Sequence, residues 1–275
     1  MKTLFVSDLD GTLLNNKAKL SENAVTDLNT LISQGLNFTY ATGRSWTSAN
    51  KIMESINLTL PVITHNGAFV VEPCSGKTFR VFSMSADKAR SMLSTLRAHD
   101  VYPFVYVFID GVERILWIKG KETDGIRDFL EWRRGDKRLM GVSSWHDLAK
   151  ESIHELLVVD SYNKLAPIAA MLENETEYSV IFSKDAYVDQ YLLEIYDEQV
   201  SKAAGIKWLR DNYQFDKIIC FGDNLNDISM FGAADESYAP NNAVPELKLI
   251  ADGIIGSNED DAVVEFIKNY VKSKI

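Results

Sequence analysis

The stretch Leu4-Phe5-Val6-Ser7-Asp8-Leu9-Asp10-Gly11-Thr12 constrains this chain most. A short apolar run that breaks at once into two aspartates and a glycine reads as a central strand covered on both faces, because such a strand needs no polar alternation. Side chains alternate along extended chain, so Asp8 and Asp10 point roughly the same way and Leu9 the other. Two neighbouring carboxylates at the end of a buried strand resist joint ionisation. A divalent cation removes that cost, and a hard, oxygen-ligated ion such as Mg²⁺ suits them best. Glu173, Glu175 and Glu177 show the same spacing, so a solvated acidic surface is the alternative for spacing taken alone. The strand before the pair and the Gly-Thr after it favour a site.

The rhythm that follows is that of a parallel sheet. Ser21 is placed to cap a helix whose buried stripe is Val25, Leu28, Leu31 and Ile32, and Gly35 ends it. A strand over 36–41 closes on Thr42-Gly43-Arg44, completing a βαβ unit. A helix over about 45–56 and a third strand at Pro61–Thr64 continue the sheet, and His65-Asn66-Gly67 signals a tight turn. From about residue 80 the pattern changes. Strands at 79–84, 102–109, 112–118, 154–160, 178–183 and 187–196 mix with helices at 86–99, 122–134 and 164–173. Asp110-Gly111 marks a hairpin turn. That mixture predicts an α+β domain. Its aromatics Tyr102, Phe104, Tyr106 and Phe108 suit either a ligand platform or packing against helices, and Trp117, Tyr187 and Tyr191 join them as candidates to face a ligand. Past residue 197 the first rhythm returns: helix 200–213, strand 217–221 ending on Gly222-Asp223-Asn224, helix 226–233, strand 237–239, helix 244–251 and helix 260–272. The expected fold class is therefore α/β, a doubly wound parallel-sheet core of residues 1–82 and 197–275, interrupted by an α+β domain of residues 83–196.

Composition narrows the partners. Apolar residues make up 46% of the 275 and charged ones 25%, ample for a globular core. A net charge of −10 with no lysine or arginine run argues against nucleic acid, while a small anion served by local cations stays open. Cys74 and Cys220 are too few for a disulfide framework or a zinc site, and His65, His99, His146 and His154 share no ligand spacing. No segment has the length of a signal peptide or a membrane span, so the expected location is the cytoplasm, with no membrane partner.

In open parallel sheets ligands gather at the carboxyl ends of the strands near the switch point. Here those ends carry Asp8 and Asp10, Thr42-Gly43-Arg44, and Asp223 with Asn224, Asn226 and Asp227, while Lys202 begins the helix after the inserted domain. Carboxylates suit Mg²⁺; hydroxyl, amide and ammonium groups suit phosphate oxygens. Taken alone, Lys202 reads rather as a surface helix lysine, Arg44 equally as a salt-bridge partner of the helix it begins, and Asn66 as a turn residue.

These segments, with Asn66-Gly67-Ala68 and Asn242-Ala243, occur in an order that resembles a haloacid dehalogenase (HAD) superfamily phosphatase of the Cof-type subgroup, which carries a large α+β cap between its second and third motifs. The resemblance spans nearly the whole chain and implies a HAD-like Rossmannoid core, with the cap selecting substrate. It implies that Asp8 is the nucleophile of an aspartyl-phosphate intermediate and Asp10 the general acid and then base. It places Mg²⁺ on Asp8, the backbone carbonyl of Asp10, and Asp223. It gives the phosphoryl group to Thr42, Gly43 and Lys202, makes Asn226 a substrate contact, and has Asp227 orient the metal surroundings or Lys202. A raised pKa for Asp10 is expected from neighbouring carboxylates. Ala203, Tyr238-Ala239-Pro240 and Asp261 depart from the family pattern, Ala203 and Asp261 where glycine is usual. The function implied is a Mg²⁺-dependent phosphatase for a small phosphorylated metabolite, a sugar phosphate above others. A phosphomutase and a non-catalytic phosphate- or metal-responsive regulator are the alternatives.

Overall fold

In a computed structural model that describes residues 1–109, 111–149, 152–184 and 189–273, the chain divides into two compact units, Met1–Val81 with Ser201–Ile275, and Phe82–Val200. The first unit opens with β1 (Thr3–Ser7), α1 (Glu22–Ser33), β2 (Asn37–Tyr40), α2 (Trp46–Met53), β3 (Val62–Thr64), β4 (Phe69–Val71) and β5 (Thr78–Val81). Ser21 caps α1 as expected, its side chain accepting from the Ala24 amide at 3.0 Å. The buried stripe is Ala24, Leu28 and Ile32, with Val25 and Leu31 only half covered.

The second unit runs α3 (Ala86–Ala98), β6 (Phe104–Ile109), β7 (Val112–Ile118), α4 (Asp124–Trp132), β8 (Leu139–Val142), α5 (Trp145–Leu148), β9 (Ile153–Asp160), α6 (Tyr162–Leu172), β10 (Tyr178–Lys184) and β11 (Tyr191–Asp197). Its six strands are ordered β10-β11-β9-β6-β7-β8, antiparallel except for the β7–β8 pair. Alternate residues of β6 feed different apolar clusters. Val105 and Val107 pack with α3 and α6, whereas Phe104 and Tyr106 pack with α4. Phe104 stacks on Phe129 with ring centroids 4.0 Å apart. Phe104 and Tyr106 thus serve packing rather than a ligand. Tyr191 packs on Tyr162 and Phe182, while Asp110 of the expected hairpin turn, Tyr187 and the start of the expected 187–196 strand lie outside the described residues.

The first unit then resumes with α7 (Lys202–Tyr213), β12 (Lys217–Phe221), α8 (Ile228–Ala233), β13 (Glu236–Pro240), α9 (Pro245–Ile250), β14 (Gly253–Ile255) and α10 (Ala262–Lys272). Its main sheet is wholly parallel in the order β14-β13-β12-β1-β2, so the expected α/β class holds. β1 is an interior strand, flanked by an early strand and a late one, while β12 is the middle of the five; Leu4 and Val6 of β1 and neighbouring Ile218 and Cys220 are buried in one core with α7 and α8. One expectation needs correction. β3 does not extend the parallel sheet but heads a three-stranded antiparallel sheet, β3-β4-β5, touching β2's end by a single parallel bridge between Ala41 and Ile63. The turn at His65–Gly67 sends the chain straight back, so β4 pairs antiparallel with one edge of β3, while the other edge meets β2 in parallel at that one bridge. Asp261 stands at a left-handed position, φ 53°, which explains why glycine is usual there. Among the described residues no helix is long and apolar enough to cross a membrane.

Candidate active site

The parallel sheet brings the ends of β1, β2 and β12 side by side, and loops after each carry the polar residues. Asp8 follows β1 directly and is buried; its amide donates to the Phe221 carbonyl at 2.8 Å, tying the end of β1 to that of β12. Lys202 is 1% exposed at the first turn of α7, which excludes the surface reading. Its Nζ donates to Asp8 Oδ1 at 2.5 Å and to Asp227 Oδ1 at 2.6 Å. A helix N-terminus disfavours a cation, so the two carboxylates are what hold the ammonium there. Asp227 uses its second oxygen to accept the amides of Asp223 (2.9 Å) and Asn224 (3.1 Å), fixing the loop that follows β12. Thr12 in turn donates to Asp223 Oδ1 at 2.8 Å.

Carboxylate oxygens of Asp8, Asp223 and Asp227 lie within 4.8 Å of one another. Three carboxylates around one ammonium leave two negative charges uncompensated, and the titration reflects it. Burial, together with Asp227 and Asp223, pushes Asp8 well above the usual carboxylate range despite Lys202. Burial, then Asp227, raises Asp223 to about 6. Burial would lower the Lys202 ammonium, but Asp227 and Asp8 hold it well above its ordinary value. A divalent cation suits this donor set in charge and in oxygen chemistry, and Asp8 and Asp223 are the residues that fit it best, since both oxygens of Asp227 are already engaged.

Gly11 shows how closely the loop is drawn in. Its φ is +78°, and a Cβ there would run into the Asp223 carboxylate. Its carbonyl accepts from Asn242 Nδ2 at 2.7 Å, and Asn242 Oδ1 accepts the Asn258 amide at 3.1 Å. Gly67, φ +104°, allows a similar approach to the Ser201 carbonyl, just before Lys202. The roles of Thr12 and Asn258 carried no signal readable before the fold, because each acts on a residue more than 200 positions away.

Asp10 lies elsewhere than expected. Its carboxylate is not among the clustered three; it is half exposed and held by Arg44, whose Nε and Nη2 each donate to one oxygen at 2.6 Å. The chain already turns at Leu9, so Asp10 does not continue the extended run of β1, and the group bonded to it is a guanidinium. Arg44 therefore pairs with Asp10 as well as reaching Ser48 of α2 at 3.2 Å. Thr42 is buried, its hydroxyl oxygen accepting the Arg44 amide at 3.2 Å, which leaves the hydroxyl proton to donate elsewhere. Gly43 is exposed with the Asn66 amide group beside its Cα. Asn66, φ 51°, makes the turn and also accepts from Asn226 Nδ2 at 3.1 Å, so the loops after β3 and β12 meet.

A buried carboxylate beside a lysine, oxygen ligands for a cation and an outlying carboxylate are a set able to handle a phosphoryl group. A family model described as haloacid dehalogenase-like hydrolase matches residues 5–267. The chain is similar to the 5-amino-6-(5-phospho-D-ribitylamino)uracil phosphatase YitU of Bacillus subtilis, 25% identical with 97% of each chain covered. It is also similar to the pyridoxal phosphate phosphatase YbhA of Escherichia coli, 24% identical over 96% of this chain and 97% of that one. Among solved structures, TM0651 from Thermotoga maritima aligns with a TM-score of 0.76 and 26% identity, covering 98% of this chain and 97% of the other. A match that runs from β1 to α10, with phosphatases as end-to-end relatives, makes the chain a member of the haloacid dehalogenase-like hydrolases, a Cof-type phosphatase acting on phosphoric monoesters.

Proposed function

We propose that the protein is a Mg²⁺-dependent phosphatase of a small phosphorylated metabolite, with a sugar phosphate as the substrate class. The reading is carried by the cluster of buried Asp8 and Asp227 and half-buried Asp223 around the single ammonium of Lys202, an imbalance of two charges that a divalent cation offsets. The name of the B. subtilis relative, a phosphatase for a phosphoribityl compound, supports the substrate class.

In this reading Asp8, Asp223 and the Asp10 carbonyl would hold the ion, which when bound offsets phosphate charge and so lets a carboxylate approach phosphorus. Asp8 attacks phosphorus and becomes an aspartyl phosphate; the leaving oxygen takes a proton from Asp10 and departs as the alcohol. Water then attacks phosphorus, its proton passing to Asp10, and the bond to Asp8 breaks with its electrons returning to the carboxylate. Lys202, already fixed by Asp227, supports both Asp8 and the phosphoryl oxygens. The Thr42 hydroxyl and the Gly43 amide donate to those oxygens, and Asn226, steadied by Asn66, contacts the substrate. The unit 82–200 is the proposed cap, selecting the leaving group.

The test is a screen of phosphorylated metabolites for phosphate release with Mg²⁺ and with chelator, with Asp8→Asn as control. Release that needs Mg²⁺ and Asp8 is expected. Release by Asp8→Asn at the intact rate, or none by the folded protein on any substrate, would refute the reading. A need for a bisphosphate primer with little free phosphate would indicate a mutase.

A further inference from the structure

Arg44 has no part in the cation and phosphate contacts proposed above, yet both its backbone and its side chain are secured. Its amide donates to Thr42 Oγ1 at 3.2 Å, its carbonyl accepts from the His65 amide at 3.0 Å, and its Nη1 donates to Ser48 Oγ at 3.2 Å. The guanidinium presents two N–H groups to the two oxygens of Asp10, both at 2.6 Å. Such a fork matches a carboxylate in one plane and one orientation. Asp10 is half exposed and would otherwise be free to rotate. Displacement at phosphorus is in line, so whatever serves the incoming water stands on the side of phosphorus away from Asp8. Asp10 is held outside the three-carboxylate cluster and is half exposed, as a group that meets incoming water must be.

We infer that Arg44 is a positioning residue for Asp10 in its role as base, an inference that rests on the aspartyl-phosphate reading of the site. A fork of two donors fits a carboxylate and conflicts with a carboxyl, one of whose oxygens bears hydrogen. The contact therefore belongs to the step in which Asp10 starts as a carboxylate. In that step the water oxygen bonds to phosphorus, the water proton passes to Asp10, and the Asp8–phosphorus bond breaks with its electron pair returning to Asp8. Arg44 acts by aiming the acceptor oxygen before the proton arrives, and the contact loosens once it has.

The experiment is rapid mixing of p-nitrophenyl phosphate and Mg²⁺ with the intact chain and with Arg44→Met and Arg44→Lys. Loss of an aimed base slows turnover by about tenfold to a hundredfold. With a good leaving group, formation of the intermediate is spared. Both variants are thus expected to give a stoichiometric burst of p-nitrophenolate, larger than in the intact protein, then a slow steady state with KM unchanged or lowered. A raised KM with kcat intact would mean that Arg44 binds substrate, and a full rate in Arg44→Lys would mean that charge alone suffices; either overturns the inference. Placed in an Asp10→Asn background, Arg44→Met is expected to add nothing, because both act through one group. A further multiplicative loss there would reveal a folding defect and overturn the inference too. Intact turnover by Asp8→Asn or Asp10→Asn would defeat the site reading as a whole. Inactive aspartate variants beside an unaffected Arg44→Met would defeat the role of Arg44 alone.

Discussion

Replacing Asp223 by Asn makes the conflict between stability and cation binding measurable. The carboxyl is raised from 3.8 to about 6, first by burial and then by Asp227. The folded chain thus binds this proton more tightly than the unfolded chain does. The contribution of this group to metal-free stability consequently falls as pH rises through the window from about 4 to about 6, and the whole penalty is present above it. At about 1.36 kcal/mol per pKa unit, the displacement is worth roughly 3 kcal/mol at neutral pH. The shift of Asp8, also upward, has the same sign. Asparagine keeps an oxygen for the Thr12 hydroxyl and removes the charge. In chelator near neutral pH, Asp223→Asn is therefore expected to melt several degrees above the parent chain, since each kcal/mol moves Tm by about 2–4 °C at this size. The advantage is expected to vanish near pH 4. With Mg²⁺ at about a thousand times its Kd the order is expected to reverse, because such a ligand adds about 4.1 kcal/mol to the parent, more than the penalty, and little to a variant lacking a ligand. Thermal unfolding at several pH values, with and without Mg²⁺, gives all four comparisons. A metal-free Asp223→Asn chain less stable than its parent at neutral pH, or an advantage over the parent that does not grow between pH 4 and 6 in chelator, would refute the reasoning.

Lys202→Met leaves Asp8 and Asp227 buried without their shared cation, which is expected to cost about 3–5 kcal/mol in urea unfolding at neutral pH. The loss should shrink on acidification, as protonation relieves the pair; a pH-independent loss would count against this account. Phe104→Ala removes a stacked ring from the interior of the second unit and is expected to cost about 3–5 kcal/mol there. Phosphatase activity toward p-nitrophenyl phosphate should survive wherever the variant is folded, and loss of activity in folded protein would speak for a ligand role of that ring.

How much of this was legible in the residues depends on how local each cause is. β1 and β12 are apolar runs that end in acidic loops, so both strands and their class of sheet could be read from a few neighbouring positions. The order Asp8, Thr42, Lys202, Asp223 likewise identified the superfamily, to which the chain belongs. β4 and β8, three and four residues long, gave no periodicity to detect, and neither was expected. β3 looked like one more parallel strand because its residues are buried either way; only the reversal at Asn66 decides its partner. The sharpest difference is Asp10. Spacing two puts it on the same side as Asp8 only while the chain stays extended, and the chain leaves that conformation at Leu9, where it turns. Its partner Arg44 is 34 residues away, and no local pattern announces such a pairing.

The place of β1 in the sheet also has a consequence for the order of synthesis. β1 lies between β2, which emerges soon after it, and β12, which follows more than 200 residues later. Thr12 and Asp223, bonded in the finished site, are 211 residues apart. A nascent chain that ends anywhere before Lys217 therefore carries one edge of a buried strand without a neighbour. Throughout that interval Asp8 lacks its lysine or its loop, so the site comes into being only in the final quarter of translation, all at once. The second unit, whose strands all pair within Phe82–Val200, is complete by then.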